Sequence, residues 1–198
     1  MGFSQENPMT VSIFKALAVA TLLATPVQAD EVSDALQSAV NAYAAGDLVG
    51  TSAAMTMAGQ AISARQSTLL EALLPAAPEG WTMTRTEDFS QGFGMLGGGA
   101  GAEARYENAD QSVSFTVSFI ADNPMVASMG AMLGSVEMMA MMGKVVKVGD
   151  QALLENEGNY SALVGNRVMF TAEGAATEVM LPVVQTVDFA KLATFDAN

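Results

Sequence analysis

The sequence predicts an α+β domain: an N-terminal helical hairpin, an antiparallel sheet of about six to eight strands with one apolar crossing helix, and a short C-terminal helix. Three observations carry this reading. Apolar residues recur at three- and four-residue steps from Val32 to Leu73, the period of a helix buried on one face. The run "SVSFTVSFI" alternates strictly, with Val113, Phe115, Val117 and Phe119 on one side and Ser112, Ser114, Thr116 and Ser118 on the other; that is a half-buried antiparallel strand. Beyond it, short apolar segments are separated by "GD", "GN" and a second "GN", the spacing of consecutive hairpins.

The elements follow in order. Lys15, the apolar run "ALAVATLLA" and then "TPVQA", with Val27 and Ala29 at the small-residue positions, have the layout of a secretory signal peptide. Residues 1–29 are therefore read as a leader, and residues 30–198 as a single domain, with the hairpin in 30–74 and the sheet and its helices in 75–198. The apolar core of the leader is short for a bilayer span. No cysteine follows it, so no lipid attachment site is present.

In the first helix Val32, Ala35, Leu36, Ala39, Val40 and Tyr43 form the apolar stripe. Gly46 suits its C-terminus, and Asp47 is placed to cap a second helix that ends before Pro75. "LLPAAPEGW" leads into the sheet, where Trp81 and Met83, then Ala102, Ala104 and Tyr106, mark the first strands. Asn123 and Pro124 open a helix expected to run to about Met142. Five further segments, "KVVKV", "ALLENE", "YSALV", "RVMFTAE" and "TEVMLPVV", read as strands, and a last helix starts near Asp188 and buries Phe189 and Leu192.

The run "NAYAAGDLVGTSAAMTMAGQ…LLEALLPAAPEGW", with the later "ALVGNRVMFTAEG" and "VDFAKL", resembles a group of exported bacterial proteins that join an "AGDL" helical hairpin to an "LPxxPxGW" strand opening. No activity is attached to that group. The resemblance implies architecture and export, and transfers no functional residue.

Composition closes several routes. The chain has no histidine and no cysteine, which removes the commonest general base, the thiolate nucleophile and the usual zinc, haem and iron–sulfur ligands. A net charge of −13 repels nucleic acid and anionic lipid. Gly92, Gly94 and Gly97 fall at the G-x-G-x-x-G spacing, but a strand is expected on both sides and Glu103 follows. A dinucleotide loop needs a helix there. The run is read instead as a long hairpin connection with Phe93, Met95 and Leu96 at an apolar tip. Glu155 and Glu157 share one strand face, where paired carboxylates could do acid–base work; a solvated sheet edge is the competing reading. Asn159-Tyr160-Ser161 fits a glycosylation pattern, which carries no weight behind a bacterial-type leader.

Seven of the fifteen methionines lie between Met125 and Met142. Three roles fit them: adaptable core filling, an apolar ligand or partner groove, or Cu(I) held by Met138, Met139, Met141 and Met142. The expected packing sets Met129, Met132, Val136 and Met139 on Phe115, Val117 and Phe119. The sequence thus points to a periplasmic or secreted, acidic, methionine-rich, non-catalytic binding or accessory protein for a protein partner or an apolar ligand. The alternatives are a thioether Cu(I) carrier and an enzyme using carboxylates. No catalytic, cofactor or metal residue is assigned, no nucleic acid partner is expected, and no stable membrane span is expected after processing.

Overall fold

A computed structural model describes residues 1–2 and 30–197; the expected leader and its cleavage site lie outside the described residues. The architecture is α+β. Helices α1 (Glu31–Ala44) and α2 (Leu48–Glu71) form the hairpin. Strands β1 (Trp81–Arg85), β2 (Ala100–Asn108) and β3 (Ser114–Ala121) follow. Helices α3 (Pro124–Leu133) and α4 (Val136–Met142) come next, then β4 (Lys144–Val148), β5 (Gln151–Asn156), β6 (Asn159–Val164) and β7 (Val168–Glu173). Helices α5 (Thr177–Val184) and α6 (Phe189–Ala193) close the chain. The strands make one antiparallel sheet in the order β1-β2-β3-β7-β6-β5-β4. β3 returns to pair with β7, so the Met-rich helices and the β4–β7 meander form one long excursion from the centre of the sheet.

The Asp47 cap anticipated from sequence is in place, and the structure adds a like cap at Asp30. Asp30 and Asp47 accept from Ser33 N and Gly50 N at the starts of α1 and α2. Each satisfies a helix donor that has no intrahelical partner. Gly165 and Asn166 both have φ of 58°, the type I′ geometry that turns β6 into β7. Asp188 caps α6, whose Phe189 and Leu192 are buried as expected.

The sheet has two unlike faces. One carries Tyr106, Phe115, Val117, Phe119, Phe170 and Tyr160 and is covered by the C-terminal half of α2 with α5 and α6. Each large side chain buried there stabilises the fold by about 1.5–3 kcal/mol. Tyr106 stacks on Phe115 with centroids 4.9 Å apart, and Phe170 meets Phe189 edge-on at 5.2 Å. The other face is apolar in one patch that runs across β4, β5, β6 and β7 to Ile120 of β3. Val126, Leu133 and Met139 pack there on Leu154 and Met169, with Ile120 and Leu163 alongside. Ser118 and Thr171 share a hydrogen bond on the polar remainder of this face.

Three expectations are corrected. The apolar crossing segment is two helices, because the chain is extended at Ser135, whose side chain caps α4 by accepting from Met138 N. The Met helices lie on the opposite side of the sheet from Phe115, Val117 and Phe119. Those aromatic positions already have a cover, and the Met helices pack on the even-numbered side of β3 through Ile120. Finally, "TEVMLPVV" is helix α5, not a strand. Its Met180, Val183 and Val184 recur at helical spacing and fill the main core, which outweighs its β-branched composition.

Candidate apolar docking flank

The glycine run forms a built turn. Residues 91–96 make a short 3₁₀ helix that ends on Gly97 at φ 94°. Phe93 is buried, not at an exposed tip, and meets Phe89 edge-on. Gly101 has no side chain to obstruct these rings: a Cβ there would sit 2.5 Å from Phe93 and 3.0 Å from Phe89. Asn123, itself buried, donates to the Gly98 carbonyl at 2.6 Å and accepts from Met125 N at 2.9 Å. One side chain thus ties the turn to the start of α3. A strand follows the turn, so the strand–loop–helix order of a dinucleotide loop is absent here, and the helix N-terminus that does abut Gly97 and Gly98, that of α3, comes from a later segment of the chain. Between the turn and α2 lies an open, uncharged cleft of about 610 Å³, bordered by Thr56, Gln60, Ser63, Ser90 and Gln91.

The carboxylates do not form a pair. Glu155 lies in β5 and accepts from Lys144 Nζ at 3.0 Å and Thr177 Oγ1 at 3.3 Å. Glu157 lies beyond the end of β5, exposed in the turn to β6 with φ of 51°. The hydrogen bond and charge of Glu155 raise the Lys144 pKa, which keeps that ammonium protonated. At the other end of the sheet Arg167 binds Asp122 and Asp196 together. Gln66 of α2 also donates to both carboxylates, at 3.3 and 2.9 Å. Hydrogen bonding to Arg167, then to Gln66, lowers the Asp196 pKa. This cluster fastens the C-terminal segment to the sheet and to α2. Among the described residues no group of three His, Cys, Asp or Glu is placed to hold a metal ion.

Of the four methionines considered for copper, Met139 is 2% exposed and points into the second core, whereas Met138 and Met141 are exposed on α4. The set therefore does not converge.

The hairpin is the exception to ordinary packing. α1 turns Val32, Ala35, Ala39 and Ala42 toward α2, which answers with Ala54, Ala58 and Ala61. About a quarter-turn around α1 lie Leu36, Val40 and Tyr43, all exposed. About a quarter-turn around α2 lie Leu48, Met55, Ile62 and Leu69, at seven-residue spacing and also exposed. In an antiparallel pair of right-handed helices these two quarter-turns fall on one side. At the Leu69 end of that side a shallow recess brings Val32, Ile62 and Leu69 together with the polar side chains of Asp30, Arg65, Gln66 and Asp196. Met57, about 200° around α2 from Met55, faces away from it. From residue 36 to 64 the hairpin carries one charged side chain, Asp47. Solvated helices of globular domains are far richer in charge.

Sequence reasoning placed Leu36, Val40 and Tyr43 in a buried stripe and so missed this surface. The usable signal was the width of the apolar arc. Val32, Ala35 and Ala39 already satisfy one neighbour, which leaves the larger residues facing outward. Among the described residues no helix is long and apolar enough to cross a membrane. No protein-family model, no curated protein and no solved structure matches this chain.

Proposed function

We propose that this is an exported, non-catalytic binding protein that works by protein–protein contact through the apolar flank of its helical hairpin. The observation that carries the reading is the flank itself: seven large apolar side chains on one side of two helices, exposed among the described residues and nearly free of charge. Contiguous apolar patches of this kind mark interaction sites. The leader-like segment 1–29 and the resemblance to exported bacterial proteins support export. The absence of histidine and cysteine, and the separation of Glu155 from Glu157, support a role without catalysis.

The test uses the lack of cysteine, which makes an introduced thiol the only one in the chain. Val40 on the flank and Met57 off it have similar exposure, 61% and 64%. Val40→Cys and Met57→Cys are each labelled with a membrane-impermeant maleimide in cells whose outer envelope has been permeabilised. The reading expects Met57→Cys to react and Val40→Cys to be protected. Equal labelling of both contradicts it.

A further inference from the structure

We infer that the flank is covered by a second copy of this chain, so that two hairpins face one another as a four-helix unit. The inference rests on the docking role proposed above and names the occupant. The first argument is area. The seven side chains expose on the order of 800 Å² together, at about 200 Å² for each fully exposed large side chain. A standard interface buries about 800 Å² on each partner, so two such flanks supply a stable interface with no further surface recruited.

The second argument is pattern. Leu48, Met55, Ile62 and Leu69 repeat every seven residues, the period at which one helix keeps a single seam against another along its length. A groove for a short peptide needs two or three anchors; this seam runs nearly the whole of the 24-residue helix α2, which suits a partner of equal length. Helical hairpins joined face to face are a stable bundle arrangement.

The third argument is charge. Each copy carries a net −13, so two copies repel at long range. The flank is the part of the hairpin where that repulsion least opposes contact, since its charges stand at its ends, Asp47 at one and Asp30, Arg65 and Asp196 at the other, where Arg65 pairs with Asp30 at 3.0 Å and Asp196 pairs with Arg167. Salt screens the long-range repulsion and leaves the apolar contact intact. Association through this face therefore strengthens with ionic strength, the reverse of an interface held by ion pairs.

The experiment is sedimentation velocity on protein purified from the cell envelope, at low and high salt, for the wild type and for the double variant Val40→Lys with Met55→Lys. Both sites are exposed in the isolated chain, so the variant keeps its circular dichroism spectrum and, at concentrations where both proteins are monomeric, its melting temperature. The expected result is a dimer whose dissociation constant falls with added salt, and rises at least about tenfold in the variant. A wild type that stays monomeric at every concentration and salt overturns the inference, as does a dimer unaffected by the two lysines. The thiol labelling then separates the two readings. A monomer whose Val40→Cys is still protected in the envelope overturns self-association and leaves the docking role standing, whereas a monomer with Val40→Cys fully labelled overturns both.

Discussion

Met139 and Met132 stand seven residues apart in the Met-rich segment and differ sharply in burial, so truncating each to alanine tests how α3 and α4 sit on the sheet. Met139 is 2% exposed and packs among Val126, Leu133, Leu154 and Met169; Met132 is 37% exposed. Truncating a fully buried methionine to alanine costs about 2–5 kcal/mol, the transfer loss plus a cavity term. The second core is small and flanked by half-buried Met129 and Met142, unbranched side chains that can move into part of the space. Met139→Ala is accordingly placed in the lower half of that range, at about 2–3 kcal/mol. Met132→Ala gives up only partial burial and gains helix propensity, so its cost stays at about 1 kcal/mol. In urea, with a slope of about 1–3 kcal/mol per molar, the Met139 variant should melt roughly 1–2 M earlier than wild type and the Met132 variant near it. Equal midpoints for the two variants would refute the placement of α4 on the β4–β5 end of the sheet.

Four further outcomes follow from the same contacts. Tyr106 donates its hydroxyl to the Pro75 carbonyl, and burial pushes its pKa well up; Tyr106→Phe leaves that carbonyl unpaired and should cost about 1–3 kcal/mol by chemical denaturation. At Gly99, with φ of 114°, a Cβ would lie 2.8 Å from the Ala121 carbonyl oxygen, whereas Gly94 has open space; Gly99→Ala should lower the melting temperature by several degrees and Gly94→Ala should barely move it. Asp196 has a depressed pKa, so its contribution is present above the unfolded carboxylate value of about 4 and is lost as pH falls through the lower folded value. Arg167→Gln should therefore be less stable than wild type at neutral pH, with the gap closing below about pH 4 in paired melts. Cleavage after Ala29 should give an intact mass starting at Asp30; a mature form that keeps "ALAVATLLA" would contradict the leader reading.

Much of the fold was legible because local signals agreed with the global arrangement. The Asp47 cap, the Gly165-Asn166 turn and the alternation in β3 each point to one conformation, and the structure uses each. The failures came where one pattern served two meanings. "TEVMLPVV" is rich in β-branched residues and also carries apolar residues at helical spacing, and the core claimed the second pattern. The Met-rich stretch reads as one stripe only if Gly134 and Ser135 are passed over, yet Ser135 is a cap and it re-aims everything after it. The side of the sheet that α3 and α4 cover was hidden because β3 offers Ile120 on its otherwise polar face, a single apolar residue in a row of hydroxyls. The docking flank was hidden for another reason: spacing says which residues share a face, not whether a neighbour arrives to cover it.

The central claim is that one side of the hairpin is covered when the protein is at work. Met55 and Met57 provide a built-in comparison, because they sit on different sides of α2 with nearly equal exposure, 63% and 64%. Wild-type protein in the intact envelope is treated with dilute hydrogen peroxide, and sulfoxide formation at each methionine is followed by peptide mapping. The account predicts that Met55 oxidises at least about threefold more slowly than Met57, as an interface thioether shielded from solvent does. Equal rates at the two positions would contradict it.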